Sequence, residues 1–223
     1  MKSIVLLSGG LDSAVSLVQA LNETEVILCL TFDYGQRSAR KEKESAAALA
    51  AFYNIKHRII ELDFLKDITT TALVVDHKDI PEPEPEQLDD LTEAKATAEA
   101  VWVPNRNGVF INIAAAFAEA YGCDIIVAGF NREEAATFPD NSAEYVQAVN
   151  SSLNYSTLNK VKLVSYMQSF DKIEIVRLGM RHQVPFQHIW SCYRGEDKMC
   201  GRCESCGRFR RAAQAAGLAG AFL

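Results

Sequence analysis

Short apolar runs alternate with amphipathic stretches along much of the chain. Residues 4–7, 26–32, 58–62 and 125–128 have the length and composition of buried strands. Residues 12–21 show apolar side chains at helical spacing, residues 38–53 are rich in Ala, Lys and Glu, and residues 110–121 also favour a helix. This alternation of strand and helix predicts right-handed βαβ units and a parallel sheet.

The rest of the chain is less regular. Residues 142–153 and 172–180 are predicted helices, whereas residues 80–86 contain three of the six prolines. We therefore predict an acidic, proline-rich excursion near residues 75–98, either a lid or a solvated surface loop. The last thirty or so residues are dense in cysteine and arginine, so we divide the chain into an α/β domain over residues 1–185 and a C-terminal segment over residues 186–223.

Composition narrows the class of protein. The chain has 223 residues, of which 48% are hydrophobic and 23% charged, as in one globular domain with a small appendage. The net charge of −6 disfavours a nucleic-acid partner, because such partners select basic surfaces. We find no apolar run of membrane-spanning length and no signal peptide, so we expect a cytoplasmic protein without a membrane partner. Its six cysteines are then expected to be reduced or metal-bound.

A glycine pair separates the first predicted strand from the first predicted helix. The loop comprises Ser8, Gly9, Gly10, Leu11, Asp12 and Ser13. Helix N-termini attract phosphate, and glycines let the backbone approach an anion closely. Asp12 would repel phosphate unless it holds Mg²⁺, or it would cap the helix. The plainer alternative is an ordinary strand-to-helix turn with an Asp/Ser cap.

Four cysteines lie close together near the C-terminus. They are Cys192, Cys200, Cys203 and Cys206. This number and spacing suit a closed, structural zinc site. An iron–sulfur cluster and a catalytic thiol pair are the alternatives. Cys29 and Cys123 lie in apolar surroundings and are expected in the core.

The complete Ser-Gly-Gly-Leu-Asp-Ser string resembles the loop of the pyrophosphatase-loop ATP pyrophosphatases, which include GMP synthetase, NAD synthetase and argininosuccinate synthetase. That resemblance implies a doubly wound, five-stranded parallel sheet of the adenine-nucleotide alpha-hydrolase-like kind, with ligands at the carboxyl ends of the strands. It also implies attack of a substrate oxygen on the α-phosphate of ATP, release of pyrophosphate into the loop, and an adenylated intermediate.

Further elements sharpen the resemblance. After the loop come Val103-Pro104-Asn105-Arg106-Asn107, Phe138-Pro139-Asp140, Trp190-Ser191-Cys192-Tyr193 and the cysteine cluster. In this order they resemble the 7-cyano-7-deazaguanine synthase family of queuosine biosynthesis, over nearly the whole chain. The resemblance implies that 7-carboxy-7-deazaguanine, ammonia and ATP form the amide and then the nitrile, with Mg²⁺, a structural Zn²⁺ and a homodimer. Residues 133–137, 163–167 and 219–223 depart from the family pattern.

The same resemblance implies roles for individual residues. ATP would be held by the loop residues 8–13 together with Asp33, Tyr34 and Gly35. The residues implied in catalysis are Asp12, Ser13, Arg106 and Lys172. Those implied in binding the deazaguanine substrate are Arg106, Asn107, Glu133, Phe138 and Asp140. A surface salt bridge at Arg106, or an ordinary first-turn lysine at Lys172, is the alternative interpretation.

Three other functions remain open from the sequence. A tRNA thiolase of the same superfamily would favour a basic face and a catalytic cysteine pair. Another amide-forming ligase, such as an NAD synthetase, would differ in its substrate. An ATP-sensing module with a zinc knuckle would catalyse no reaction, but it has little need of the second polar cluster around Arg106.

Overall fold

A five-stranded parallel sheet forms the centre of the computed structural model, which describes residues 1–218. Its strands lie in the order β3-β2-β1-β4-β5. They are β1 (Lys2–Leu6), β2 (Glu25–Asp33), β3 (His57–Glu61), β4 (Ile125–Val127) and β5 (Lys162–Val164). Four strands match the hydrophobic runs, and the fifth was expected only from the family resemblance. The strand order reverses between β1 and β4, where doubly wound sheets bind ligands.

Helices cover both faces of this sheet. They are α1 (Leu11–Glu23), α2 (Ala39–Phe52), α3 (Asp63–Ile68), α4 (Leu91–Val101), α5 (Arg106–Ala120), α6 (Arg132–Ala135), α7 (Ala143–Ser156), α8 (Lys172–Arg181) and α9 (Glu204–Ala216). Three 3₁₀ turns join them at Pro85–Asp89, Pro139–Asn141 and Phe186–His188. None of the helices within residues 1–218 combines the length and the apolar composition needed to cross a membrane.

Alternate residues of the central strands feed two separate cores. Val5 and Val127 pack with α1, α2, α8 and α9 on one face. Ile4 and Ile126 pack with α5 and the buried side of α7 on the other face. Strands buried on both faces explain the continuous apolar runs in the sequence. Cys29 and Cys123 are fully buried in these cores, as predicted.

The acidic excursion is more ordered than the sequence predicted. Helix α4 occupies its second half, because Asp90 accepts hydrogen bonds from the amides of Thr92 and Glu93 and starts the helix. Ile80 and Leu88 are buried, at 3% and 4% exposure, whereas most residues between them are exposed, so the proline-rich part lies at the surface and is anchored at both ends. Proline excludes a helix only near its own position. The residues that follow the prolines form α4, which corrects the prediction of a loop there.

The C-terminal segment shares its core with the α/β domain. Phe209, Ala212 and Ala213 of α9 are buried in the same cluster as residues of α1 and α8. The two sequence segments therefore fold around common hydrophobic contacts. Residues 219–223, which close the predicted segment 186–223 and depart from the family pattern, lie outside the described residues.

One side chain completes the hydrogen bonding of the edge strand β5. Lys162 and Val164 take part in the backbone ladder on the β4 side, so the amide and carbonyl of Leu163 point away from it. Asn150 of α7 pairs with both groups, accepting from Leu163 N at 2.7 Å and donating to Leu163 O at 2.9 Å. This contact covers the edge of the sheet.

We predict that Asn150→Ala lowers the free energy of unfolding by about 1–3 kcal/mol, because it leaves two backbone groups of a buried residue unpaired. Chemical denaturation measures the change. Asn154→Ala is the matched control one turn along α7, since Asn154 accepts a hydrogen bond from the Lys162 ammonium and not from the backbone of β5. Equal effects of the two substitutions would contradict this role for Asn150.

Candidate active site

A cavity of about 270 Å³ opens at the carboxyl ends of β1, β2 and β4. It lies where the strand order reverses, as expected for this class of sheet. The first turn of α1, the start of α5, the start of α8 and the segment around the cysteine cluster all contribute to its wall. The predicted residues that line it are Ser8, Gly10, Leu11, Asp12, Ser13, Tyr34, Arg106, Asn107, Phe138 and Lys172.

The glycine loop is held by its own backbone. Gly9 has a φ of +83°, and a Cβ there would lie 2.5 Å from Ser45 Oγ. The carbonyl of Gly9 accepts hydrogen bonds from Ser45 Oγ at 2.9 Å and from the amide of Trp190 at 2.9 Å. Only glycine combines this conformation with so close a contact. The loop is therefore positioned from both α2 and the C-terminal segment.

The N-terminus of α1 lines the cavity, and no side chain of residues 1–218 caps it. Its N-cap is Gly10, which offers no side-chain cap, so the amides of the first turn have no helical acceptor. The hydroxyls of Ser8 and Ser13 lie 3.1 Å apart at this end of the helix. Gly129, after β4, packs against the turn so closely that a Cβ would lie 2.9 Å from the amide of Ser13. The arrangement suits an anion such as pyrophosphate.

A buried ion cluster lies beside this helix terminus. The ammonium of Lys172 contacts Asp12 Oδ2 and Glu134 Oε1, the latter at 2.6 Å. Burial opposes the charge of Lys172, but the two carboxylates raise the pKa of its ammonium above the ordinary value. Burial raises the pKa of the Asp12 carboxyl against the opposing effect of Lys172. Two carboxylates and one ammonium leave the cluster with an excess negative charge.

The second oxygen of Asp12 fits a metal ion. Asp12 Oδ1 is buried and has no hydrogen-bond partner among residues 1–218, and Asp12 provides no helix cap. A buried carboxylate oxygen without a donor is unfavourable. Mg²⁺ prefers such oxygens and usually binds through one or two carboxylates and substrate phosphates. Asp12, with Glu134 next to it, could therefore hold this ion.

A second polar group lines the opposite wall. Arg106 opens α5 after Asn105, whose backbone is left-handed with a φ of +49°. Its guanidinium donates to the hydroxyl of Tyr34 at 3.2 Å and lies over the ring of that residue. Glu42 of α2 also lines this wall and accepts from Ser38 at 2.6 Å. Arg106 is thus a cavity residue rather than a surface arginine.

Five predicted residues do not line the cavity. They are Gly9, Asp33, Gly35, Glu133 and Asp140. Asp33 pairs with Lys43 at 2.5 Å, and the amide of Gly35 donates to it at 3.1 Å. Glu133 is bound by Arg208 at 2.6 Å and by Arg211 at 2.8 Å. Asp140 lies next to Arg106 and Asn107, and burial raises the pKa of its carboxyl.

Several cavity residues were not predicted from the sequence. They are Glu42, Glu134, Glu204 and Arg208, and Tyr193 was named only as part of a family motif without a role in the site. Glu42 lies within a helix, and Glu204 and Arg208 lie in the cysteine-rich segment, so local pattern carried no sign of a shared cavity. Tyr193 belongs to the motif of residues 190–193 and Glu134 follows the predicted Glu133, so these two positions could have been found from their motifs.

The four predicted cysteines meet at one point. The sulfur atoms of Cys192, Cys200, Cys203 and Cys206 all lie within 4.8 Å of one another. Tetrahedral zinc with Zn–S bonds near 2.3 Å would separate its sulfurs by about 3.8 Å, and Cys200 and Cys206 are 4.0 Å apart. Backbone amides of Arg194 and Cys203 donate to the sulfurs at 3.3 Å. The cluster could hold a single ion, because several bridged iron atoms would separate the thiolates further.

Fold and site together define an α/β protein of the pyrophosphatase-loop type with a C-terminal cluster of four cysteines that could hold a metal ion. One solved structure, a 4-thiouridine synthetase–RNA complex with bound ATP, has the same fold, with a TM-score of 0.51 at 19% identity over 97% of this chain and 50% of that chain. The family model of queuosine biosynthesis protein QueC matches residues 2–217. The chain belongs to this family.

Curated relatives agree over almost their whole length. A 7-cyano-7-deazaguanine synthase of Pelotomaculum thermopropionicum is 66% identical over 218 residues, which cover 98% of this chain and 99% of that protein. A 7-cyano-7-deazaguanine synthase of Desulforamulus reducens is 57% identical, with 98% and 96% covered. The family resemblance predicted from the motifs is confirmed.

We predict that Asp12→Ala reduces ATP consumption by roughly 100-fold or more while the protein stays folded, because it removes the carboxylate that would hold Mg²⁺ beside the anion site. Pyrophosphate release and thermal unfolding measure the two properties. Asp67→Ala, at an exposed position of α3, is the control and should change neither. An active Asp12→Ala protein would refute the assigned role.

We also predict that Cys203→Ser abolishes metal binding and lowers Tm by roughly 5 °C or more, since a structural ion contributes folding free energy. Elemental analysis and calorimetry provide the two measurements. Cys29→Ala is the control, because Cys29 lies in the core far from the cluster in sequence and should leave the metal content unchanged. Full metal content in Cys203→Ser would rule out the cluster as the site.

Proposed function

We propose that this protein converts 7-carboxy-7-deazaguanine and ammonia to 7-cyano-7-deazaguanine, using ATP to activate first the acid and then the amide. The observation that supports this most directly is the cavity at the strand-order reversal. There the open N-terminus of α1 and the Lys172 cluster face Arg106 across one space. Relatives that share this chain's full length carry the name of that synthase.

The first half of the reaction forms the amide. A carboxylate oxygen attacks the α-phosphorus of ATP, and the bond to the pyrophosphate oxygen breaks. Ammonia then attacks the acyl carbon, AMP leaves with one former carboxylate oxygen, and the nitrogen loses a proton. The amides at the start of α1, with the hydroxyls of Ser8 and Ser13, would receive the departing pyrophosphate.

The second half removes the remaining oxygen. The amide oxygen attacks a second ATP in the same manner, and AMP then leaves with that oxygen as the nitrogen gives up its two protons. The nitrile remains. Both halves need the same arrangement of an anion site and a positioned acceptor, so one cavity can serve twice. Mg²⁺ at Asp12 and Glu134 would offset the phosphate charge that this acidic cluster would otherwise repel.

Lys172 and Arg106 supply the positive charge of the cavity. Lys172 is held between Asp12 and Glu134, so its ammonium is fixed in position near the start of α1. Arg106 could hold a phosphate or the substrate carboxylate in a bidentate manner. Phe138 lies on the wall and offers an aromatic face for a planar base.

The cysteine cluster is proposed to bind zinc as a structural ion. Four protein ligands close the coordination sphere and leave no position for a substrate. This arrangement disfavours a tRNA thiolase, since Cys192 lines the cavity but its sulfur lies within the cluster. The absence of a nucleic-acid partner, the homodimer and the cytoplasmic location stay predictions.

The decisive assay combines the protein with Mg²⁺-ATP, ammonium and 7-carboxy-7-deazaguanine, followed by mass spectrometry. We expect loss of the acid and the successive appearance of amide and nitrile, with AMP and pyrophosphate as the nucleotide products. The Asp12→Ala variant provides the blank for contaminating activities. No conversion by folded, metal-loaded wild-type protein would refute the proposed function. Formation of ADP instead of AMP would refute the adenylated intermediates.

A further inference from the structure

Four carboxylates line the cavity, and they differ in whether both of their oxygens have hydrogen-bond partners. They are Asp12, Glu42, Glu134 and Glu204. The two oxygens of Glu42 accept from Ser38 and Gln36, and Glu134 pairs with Lys172. Two carboxylate oxygens are buried without a hydrogen-bond partner among residues 1–218, namely Asp12 Oδ1 and Glu204 Oε2. The proposed reaction uses Asp12 and leaves Glu204 unexplained.

The side chain of Glu204 is fixed and enclosed. It is the first residue of α9, directly after Cys203, and its side chain is 5% exposed. Its Oε1 accepts from Arg208 Nε at 3.0 Å, one helical turn further along. That ion pair provides a partner for Oε1 and fixes the orientation of Oε2. Leaving Oε2 buried without a donor is unfavourable, so a donor is expected from outside the described residues.

The bound substrate can supply this donor. A guanine-type ring carries an exocyclic 2-amino group next to N1–H, and an ionised carboxylate only accepts hydrogen bonds. Hydrogen bonds between an amino group and a carboxylate are stronger than neutral ones. Tyr193 and Phe138 line the same cavity and add aromatic surface for a planar base.

We propose that Glu204 Oε2 accepts a hydrogen bond from the 2-amino group of the deazaguanine ring and thereby selects this base. The proposal rests on the proposed function and names the residue that recognises its substrate. Arg208 acts here as a positioning residue, since its guanidinium also holds Glu133 at 2.6 Å and the carbonyl of Leu88 at 2.9 Å. These contacts fix the angle at which Glu204 faces the cavity.

Glu133 is the competing candidate, and its surroundings argue against it. Its Oε1 is shared by Arg208 and Arg211, and its Oε2 accepts from the amide of Lys172 at 3.2 Å. Both oxygens are therefore occupied, and Glu133 does not line the cavity. A ligand would have to break an existing ion pair to reach it.

The test compares 7-carboxy-7-deazaguanine with the analogue that lacks the 2-amino group. We expect wild-type protein to prefer the amino compound by about 10- to 100-fold in kcat/KM and in affinity, the range for one charge-assisted hydrogen bond. In Glu204→Gln, the side-chain oxygen still accepts from Arg208, but an NH₂ group takes the place of Oε2. This group cannot accept a hydrogen bond from the 2-amino group of the ring. The preference should then fall to within about threefold, while the KM for ATP, the metal content and Tm stay close to wild type.

Glu133→Gln is the matched control, because it disturbs the same arginine without facing the cavity. It should retain the wild-type preference for the 2-amino group. Preference retained in Glu204→Gln, or lost in Glu133→Gln alone, overturns the proposal. Calorimetric binding of both compounds is measured beside turnover. If no turnover is seen but binding of the 2-amino compound is preferred and depends on Glu204, only the proposed reaction is refuted. If the wild-type protein shows no preference for the 2-amino compound, the role of Glu204 is refuted.

Discussion

The carbonyl of Gly9 is the contact on which the arrangement of the site depends. It accepts from Ser45 of α2 and from the amide of Trp190, so one backbone atom joins the first loop, a helix on the sheet face and the C-terminal segment. This contact requires the left-handed backbone of Gly9, since a Cβ would overlap Ser45. The free amides of α1 then point into the cavity where the strand order reverses, and an anion site follows from topology and a single glycine conformation.

The charged side chains of the cavity have fixed partners and do not form a simple basic surface. Lys172 is enclosed by Asp12 and Glu134, and Arg106 contacts Tyr34 on the opposite wall. The chain has a net charge of −6, and the two cations Lys172 and Arg106 each have a fixed partner in the cavity where phosphate is expected. Such preorganised charges need little rearrangement when a substrate develops negative charge, which is the main source of electrostatic catalysis.

Much of the fold was predictable because it depends on local periodicity. The apolar runs of β1, β2 and β4 and the glycine loop between β1 and α1 are visible directly in the sequence. Strand β5 was not, because a segment of only three residues carries too little hydrophobic pattern to identify a strand. The start of α4 at Asp90 was obscured by nearby prolines. In the site, motif residues were found, whereas Glu42, Glu134 and Glu204 lie in three distant segments of the chain whose shared cavity only the folded structure shows.

The cysteine cluster positions part of the cavity wall and takes no part in the proposed reaction. Residues 190–193 run from the contact with Gly9 along the cavity wall to the first thiolate, so the same short segment is fixed at both ends. The acidic excursion packs on the other side of the cluster, where Ile80 contacts the buried cysteines and Glu82 pairs with Arg194 at 2.7 Å. The arginines around the cluster offset both the thiolates and this acidic segment. An ion bound there would therefore support this wall of the cavity and the packing of the acidic excursion, although its four ligands leave it no position in the reaction.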